Sequence, residues 1–482
     1  MAEADAAVVG SGPNGLAAAV TLARAGLSVE LYEMGDTVGG GLRGARPFDA
    51  EVVHDVCAAV HPMAAASPFF RAFDLAARGV ELIRPEVSYA HPLPGGTAAL
   101  AWADLERTCE GLGADGPRWR RLMAPLLAEG GAVADLVLSD LRSPPADPVA
   151  GLRLALRMLR HGTGRGPFAT EPARALLTGV AGHAIGPLPS LSGAAVAVLL
   201  GHLAHTASGW PLPRGGSVAI ADALVADLVA HGGVVHTGTR IRDLRELGGA
   251  RTVLLDVAPR GLLEIAGDRL PAGYARALRR FRYAPGAAKV DFLVSEPVPW
   301  AAAGVGRAGT VHLGGTQADM FRAETATARG RRVDDPFVLL VDPAATDPDR
   351  ARPRRRPVWA YAHVPHGDTA DPVDLVRRRI EAFAPGFSDT VVAARGVSAA
   401  AMEDYNPNYV GGDIAAGAMS LRQTLLRPAP RIDPYRTPLP GVYLCSSSTP
   451  PGPGVHGMPG HLAALSALRR EHGVRTPPSL AP

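Results

Sequence analysis

The sequence predicts an α/β protein: a discontinuous Rossmann-like domain assembled from both ends of the chain, with a separate α+β domain inserted in it. Three observations predict this. A strand–glycine turn–helix–strand unit opens the chain at Ala6–Glu33, and an apolar strand, a Gly/Pro loop and a helix close it in "GVYLCSSSTPPGPGVHGMPGHLAALSALRR". Between them, Ala175 to Pro213 holds no Asp, Glu, Lys or Arg for 39 residues. At 482 residues the chain is too long for one ordinary core.

The N-terminal unit is read residue by residue. "AAVVG" is a short apolar strand, and Gly10, Gly12 and Gly15 form G-x-G-x-x-G around Ser11, Pro13 and Asn14. "LAAAVTLARAG" is a helix that Gly26 ends, and "SVELYE" is a second strand finishing at Glu33, 18 residues past Gly15. Gly10 permits the tight turn, Gly12 admits a pyrophosphate, and Gly15 lets helix and strand approach. The helix N-terminus offers free N–H groups and a positive dipole end to a diphosphate, and Glu33 stands where a carboxylate accepts ribose hydroxyls.

A second glycine-rich stretch, "GDTVGGGLRG", follows the acid and includes Gly39, Gly40, Gly41 and Arg43. NAD dehydrogenases have no general need for it. Together with "HDVCAAVHPM", "YNPNYVGGDI" and the C-terminal stretch, it resembles the phytoene desaturase-like branch of the amine-oxidase superfamily of flavoproteins. The likeness is greatest to the group of pyridine nucleotide-disulfide oxidoreductase domain-containing protein 2. The resemblance implies a GR2-type FAD-binding domain, a substrate-binding domain, and FAD as cofactor. It implies hydride transfer from a largely apolar small molecule to flavin N5, as in a dehydrogenase or desaturase. Amine-oxidase-like C–N oxidation using O2, or a non-redox FAD-binding scaffold, are the alternatives. By resemblance, Gly39, Gly40, Gly41 and Arg43 wrap the diphosphate and ribityl chain, while Ser447, Gly457 and Met458 lie near the flavin. The FAD domain is placed at 1–62, 209–275 and 400–482, and the substrate domain at 63–208 and 276–399.

Lys289 in "PGAAKVDF" is the single lysine of the chain; the other basic residues are arginine. Its strand resembles one in amine oxidases whose lysine holds a water near N5, which makes Lys289 a catalytic candidate. His61 and His456 are acid–base candidates because a histidine pKa lies near neutrality. Tyr409 and Asn406 are candidates for the substrate side of the flavin. His54, Cys57 and His61 could share a helix face, but no fourth ligand accompanies them and no metal site is assigned.

The remaining features exclude other classes. Net charge is +3, the arginine clusters stand beside acids, and no nucleic-acid motif accompanies them. Three cysteines, Cys57, Cys109 and Cys445, make no disulfide framework, and no leader pattern precedes Ala6, so a cytoplasmic protein is expected. Histidines and prolines interrupt the charge-free stretch, so buried helices around an apolar pocket are expected there, with peripheral contact to a bilayer as the second reading. Monomer and homodimer both stay open.

Overall fold

The computed structural model describes residues 4–143, 147–162, 164 and 166–482. Two sheets organise it. The first has five parallel strands in the order Val442–Leu444, Thr252–Leu255, Ala6–Val9, Val29–Tyr32 and Val234–His236. A parallel sheet is covered on both faces, so its strands read as unbroken apolar runs. Alternation then divides each run between two cores. Ala6, Val8 and Leu254 join the helices Pro13–Arg24, Val218–Ala230 and Met458–Glu471. Ala7, Val9, Val253 and Leu255 join Pro259–Ala266 and Ala272–Arg279.

The first and last helices of this half lie in contact, and glycine is what allows it. A Cβ on Gly460 would stand 1.8 Å from the Asn14 carbonyl oxygen. The same half receives Phe69, Phe70 and Phe73 from the short helix Pro68–Phe73, which pack in the core of Leu16 and Leu468.

The second sheet has seven strands, ordered Val391–Val397, Gly286–Val294, Arg356–Val364, Val338–Val341, Ala308–Leu313, Val87–Leu93 and Thr97–Trp102. All its pairings are antiparallel except Ala308–Leu313 with Val87–Leu93. Its two faces differ sharply. Val290, Phe292, Ala360, Leu340 and Val311 form an aliphatic face under the helix Val373–Glu381, with Phe383 and Phe387 beside it. Their strand neighbours point the other way, so Lys289, Trp359, Tyr361, Leu339, His312 and Tyr89 share the opposite face, as the register requires. The five-stranded sheet takes its strands from segments 1–62, 209–275 and 400–482; the seven-stranded sheet takes its strands from 63–208 and 276–399.

The charge-free stretch forms the helices Glu171–Ala181 (from Ala175 on) and Leu191–Leu203, which cover one end of that second face. Leu191–Leu203 is apolar all round and buried, which explains a run without charges. A buried ion pair ties the halves together: Arg350 Nη2 donates to Asp55 Oδ2 at 2.9 Å, while Asp55 Oδ1 accepts from Ser217 N at 2.8 Å.

Candidate active site at the junction of the two sheets

One cavity of about 770 Å³ runs from the glycine turn after the first strand to the aromatic face of the seven-stranded sheet. That volume lies within the range of small-molecule and cofactor pockets.

At its nucleotide end, the glycines are required by sterics. A Cβ on Gly15 would stand 2.0 Å from the Gly10 carbonyl oxygen, and one on Gly40 would stand 2.9 Å from Gly12 Cα. Gly10, Gly12, Pro13, Asn14, Gly40 and Gly41 line the cavity. Gly39 instead folds the loop back, donating its N–H to the Ser11 carbonyl at 3.0 Å. Asn14 Nδ2 donates to Ser447 Oγ at 3.1 Å, and Asn14 Oδ1 has no protein partner. An unpartnered buried acceptor on a glycine-walled channel fits a dinucleotide, which would bring its own donors.

Glu33 stands on the cavity wall just past the end of its strand. Its Oε2 accepts from Ser11 N (3.0 Å) and Ser11 Oγ (2.5 Å), and its Oε1 from Gly35 N and Arg43 Nη2, both at 2.8 Å. Four donors fill the acceptor directions of a carboxylate, so Glu33 braces the glycine turn at the cavity wall. Arg43 is correspondingly drawn toward Glu33 and the Thr37 carbonyl, which takes Nε at 2.9 Å, with its guanidinium 5.6 Å from the Tyr405 ring centre.

Asp256, at the end of the strand Thr252–Leu255, was not singled out by the sequence. Its Oδ2 accepts from Gly15 N at 3.0 Å, at the helix N-terminus where a diphosphate is expected, and burial pushes its pKa up to about 7. The signal was available: an acid directly after a buried apolar strand, "TVLLD", ends beside the glycine turn in this topology.

Several candidates at the C-terminal loop are corrected. His456 uses both ring nitrogens locally: Nδ1 accepts from Met458 N at 3.2 Å and Nε2 donates to the Pro453 carbonyl at 3.3 Å. It caps the last helix and does not line the cavity, and burial lowers its pKa to about 4. Met458 is buried in the Rossmann-side core, and Gly457 (φ +68°) admits Phe69 and Ala17 rather than a ligand ring. Gly454, Val455 and Ser447 supply that wall instead.

Lys289 lies on the cavity side of its sheet, but its Nζ is committed. It donates to Asp291 Oδ1 at 2.6 Å and Oδ2 at 2.5 Å, and Asp291 Oδ1 also meets His54 Nδ1 at 3.2 Å. Burial works to raise the Asp291 pKa, yet Lys289 and His54 outweigh it and hold the carboxyl below its ordinary value. The lysine is one member of a buried triad behind Cys57 and Trp359, and is not itself part of the lining.

His61 and Tyr409 do reach the cavity. Ser217 Oγ donates to the Ala58 carbonyl at 2.6 Å, so it accepts from His61 Nε2 at 2.8 Å. The ring proton therefore sits on Nε2, and Nδ1 is a lone pair with no protein partner. Burial lowers the His61 pKa to about 4, so the ring is neutral near pH 7. Tyr409 O–H points to Cys57 Sγ at 3.4 Å, and Tyr405 O–H donates to the Gly40 carbonyl at 2.5 Å. These contacts clamp the 405–409 segment onto the glycine loop. Asn406 lines the same wall. His54, Cys57 and His61 point to three different partners and do not converge.

At the far end the wall is formed by Leu200, Trp210, Leu339, Val341, Trp359 and Tyr361. Three polar groups interrupt it. Thr310 Oγ1 and Trp359 Nε1 have no protein partner, and His183 shares an Nε2–Nε2 contact of 2.9 Å with His312. Burial holds His183 down to about 3, so it is uncharged at neutral pH. The carboxylates on the wall, Glu33, Asp256, Glu264 and Asp404, all belong to the nucleotide end or the 402–409 segment.

Fold and site together define a two-domain architecture in which a Rossmann-like half and a second half share one cavity. Comparison with known proteins agrees. The model of a NAD(P)-binding Rossmann-like domain matches residues 8–76. Mouse pyridine nucleotide-disulfide oxidoreductase domain-containing protein 2 is 27% identical over 344 residues, covering 63% of this chain. The match spans only 59% of that relative's length. Among solved structures, an oxidoreductase from Methanosarcina mazei has a TM-score of 0.58 at 16% identity, covering 96% of this chain and all of its own. Cyclohexylamine oxidase from Brevibacterium oxydans has a TM-score of 0.56 at 14% identity, covering 98% and 100%. The chain thus shares the fold of these solved structures, a Rossmann-like domain with a second domain.

Proposed function

We propose that this chain is an FAD-dependent oxidoreductase that removes hydride from a C–H bond of a small, uncharged, largely apolar molecule. The observation that carries the reading is the single cavity joining a dinucleotide-type glycine turn to an aromatic wall without carboxylates. FAD, when bound, supplies the hydride acceptor; the protein supplies orientation and electrostatics. Gly10, Gly12, Asn14, Gly40, Gly41 and Ser447 are the residues that would hold it.

The chain's own groups define the substrate end. An ammonium would need a nearby anion, and the far wall offers none, while Asp291 lies outside the lining and is engaged by Lys289 and His54. Amine oxidation is therefore the less supported reading. A pure hydrocarbon would leave Thr310 Oγ1, Trp359 Nε1 and His61 Nδ1 unpaired, at roughly 1–3 kcal/mol each. The wall best suits an apolar molecule that carries one uncharged oxygen function. His61 Nδ1 would accept the hydrogen bond of a substrate O–H. The proton released as the hydride leaves to FAD would pass through that lone pair to bulk water, since a ring whose pKa is about 4 does not retain it. Trp210 and Trp359 exclude water from the reacting end.

The test is anaerobic mixing of flavin-loaded protein with apolar alcohols and ketones. Bleaching of the visible flavin absorbance supports the reading; a flavin that no such compound reduces, or that amines alone reduce, overturns it.

A further inference from the structure

The helix Pro148–Gly162 wears its apolar stripe on the outside. Val149, Leu152, Leu156 and Leu159 are 55%, 62%, 58% and 56% exposed, at the three- and four-residue spacings that align them on one face. The inward side is held by Leu154 and Met158, which pack in the core that also contains Leu199 and Leu200 of helix Leu191–Leu203. Arg153, Arg157 and Arg160 follow one edge of the stripe, and the helix contains no Asp or Glu. Arg153 donates to Glu129 Oε1 at 3.0 Å, whereas Arg157 and Arg160 have no carboxylate partner among the described residues.

A second set of apolar residues is also exposed. Leu421, Leu425 and Leu426 are 52%, 45% and 41% exposed, and Ile432 is 97% exposed. Arg142 Nη2 donates to the Arg427 carbonyl at 3.2 Å, which ties Arg427 to the segment after helix Ala132–Val137.

We propose that this face docks in the plane of a bilayer surface that contains anionic lipid. A helix of 15 residues is about 22 Å long, short of a hydrocarbon core of about 30 Å, and among the described residues no helix is long and apolar enough to cross. An exposed apolar stripe edged by arginine is the pattern of a helix lying in the interface. Guanidinium groups suit lipid phosphates. A second copy of the chain would meet those arginines with none of its own carboxylates from this helix. Leu200, in the same packed core, lines the cavity, so docking sets the substrate end one helical layer from the acyl chains. The inference stands apart from the flavin chemistry.

Flotation of the full chain with phosphatidylcholine vesicles, with and without phosphatidylglycerol, tests it. Binding to the anionic vesicles that weakens as salt rises is expected. Each of Arg157→Gln and Arg160→Gln should lower it by about fivefold. Leu152→Gln/Leu156→Gln/Leu159→Gln should lower it at least about tenfold with an unchanged melting profile. Leu156→Trp should show a blue-shifted emission on adding anionic vesicles. Absence of vesicle binding by the native chain, equal binding by the triple variant, or an unshifted Leu156→Trp spectrum overturns the proposal. So does a native dimer that the triple variant converts to monomer without any lipid effect.

Discussion

Replacing Asp256 by Asn should stabilise the flavin-free protein, and more so as pH rises. Asp256 is buried and receives one backbone donor, Gly15 N, plus the positive end of the helix dipole. The dipole is worth about 0.3–1 kcal/mol, which is too little to offset desolvation of a carboxylate. The result is a pKa raised from 3.8 to about 7, with burial as the main cause and the nearby Glu33 charge adding to it. Below pH 4 both folded and unfolded chains hold the proton, and the residue contributes nothing. Between about 4 and 7 the unfolded chain releases it first, so stability falls with rising pH by about 1.4 kcal/mol per unit. Above 7 the loss is complete, at about 4 kcal/mol. Asn keeps an oxygen for Gly15 N–H and cannot ionise. Chemical unfolding of both proteins from pH 5 to 8 is the assay. The advantage of Asp256→Asn should be smallest at pH 5, grow through pH 7 and then level off. An advantage independent of pH would refute the reasoning.

Four further outcomes are expected. Asp256→Asn should bind FAD more tightly than the native chain at pH 8 and nearly alike at pH 5, read by flavin fluorescence quenching, because the ionised carboxylate beside Gly15 N–H repels a diphosphate whereas the protonated acid and the amide do not. Lys289→Met should cost about 3–5 kcal/mol by stranding Asp291, and Lys289→Met/Asp291→Leu should recover much of it in a melting experiment. Gly15→Ala should abolish flavin retention during purification, since its Cβ would collide with the Gly10 carbonyl oxygen at 2.0 Å. The protein should lose stability steeply as pH falls from 6.5 towards 4. Burial lowers His61, His91, His205, His456 and His461 to about 4. Each stays neutral in the fold while the unfolded chain takes up a proton, at about 1.4 kcal/mol per pH unit, so an acid-unfolding midpoint well below pH 4 would contradict their burial.

Much of the nucleotide half could be read directly from the chain, because its determinants are local. Gly10, Gly12 and Gly15 act on neighbours within a few residues, and an apolar run followed by a turn and an Ala-rich helix names its own geometry. The closing strand and helix at Val442–Leu444 and Met458–Glu471 were legible for the same reason. The strand around Lys289 was also visible as an alternating pattern, and it put the lysine on the correct face.

What the lysine does there was settled by a residue two positions on and by His54, which lies 237 positions away from Asp291 in sequence. The same holds for the other reassignments. Glu33 was found by spacing, but its four donors come from Ser11, Gly35 and Arg43, and only the folded turn brings them to one carboxylate. His456 and His61 look alike as sequence; one closes a helix cap, while the other keeps a free lone pair because Ser217, 156 positions on, orients it. The sequence by itself determined the Rossmann-like half, the glycine cradle and the alternation that splits the large sheet into an aliphatic and a polar-aromatic face. Tertiary structure alone decided which polar groups are spent on one another and which still face the cavity. Backbone conformation is set by neighbours in the chain, whereas hydrogen-bond capacity and desolvation are set by neighbours in space.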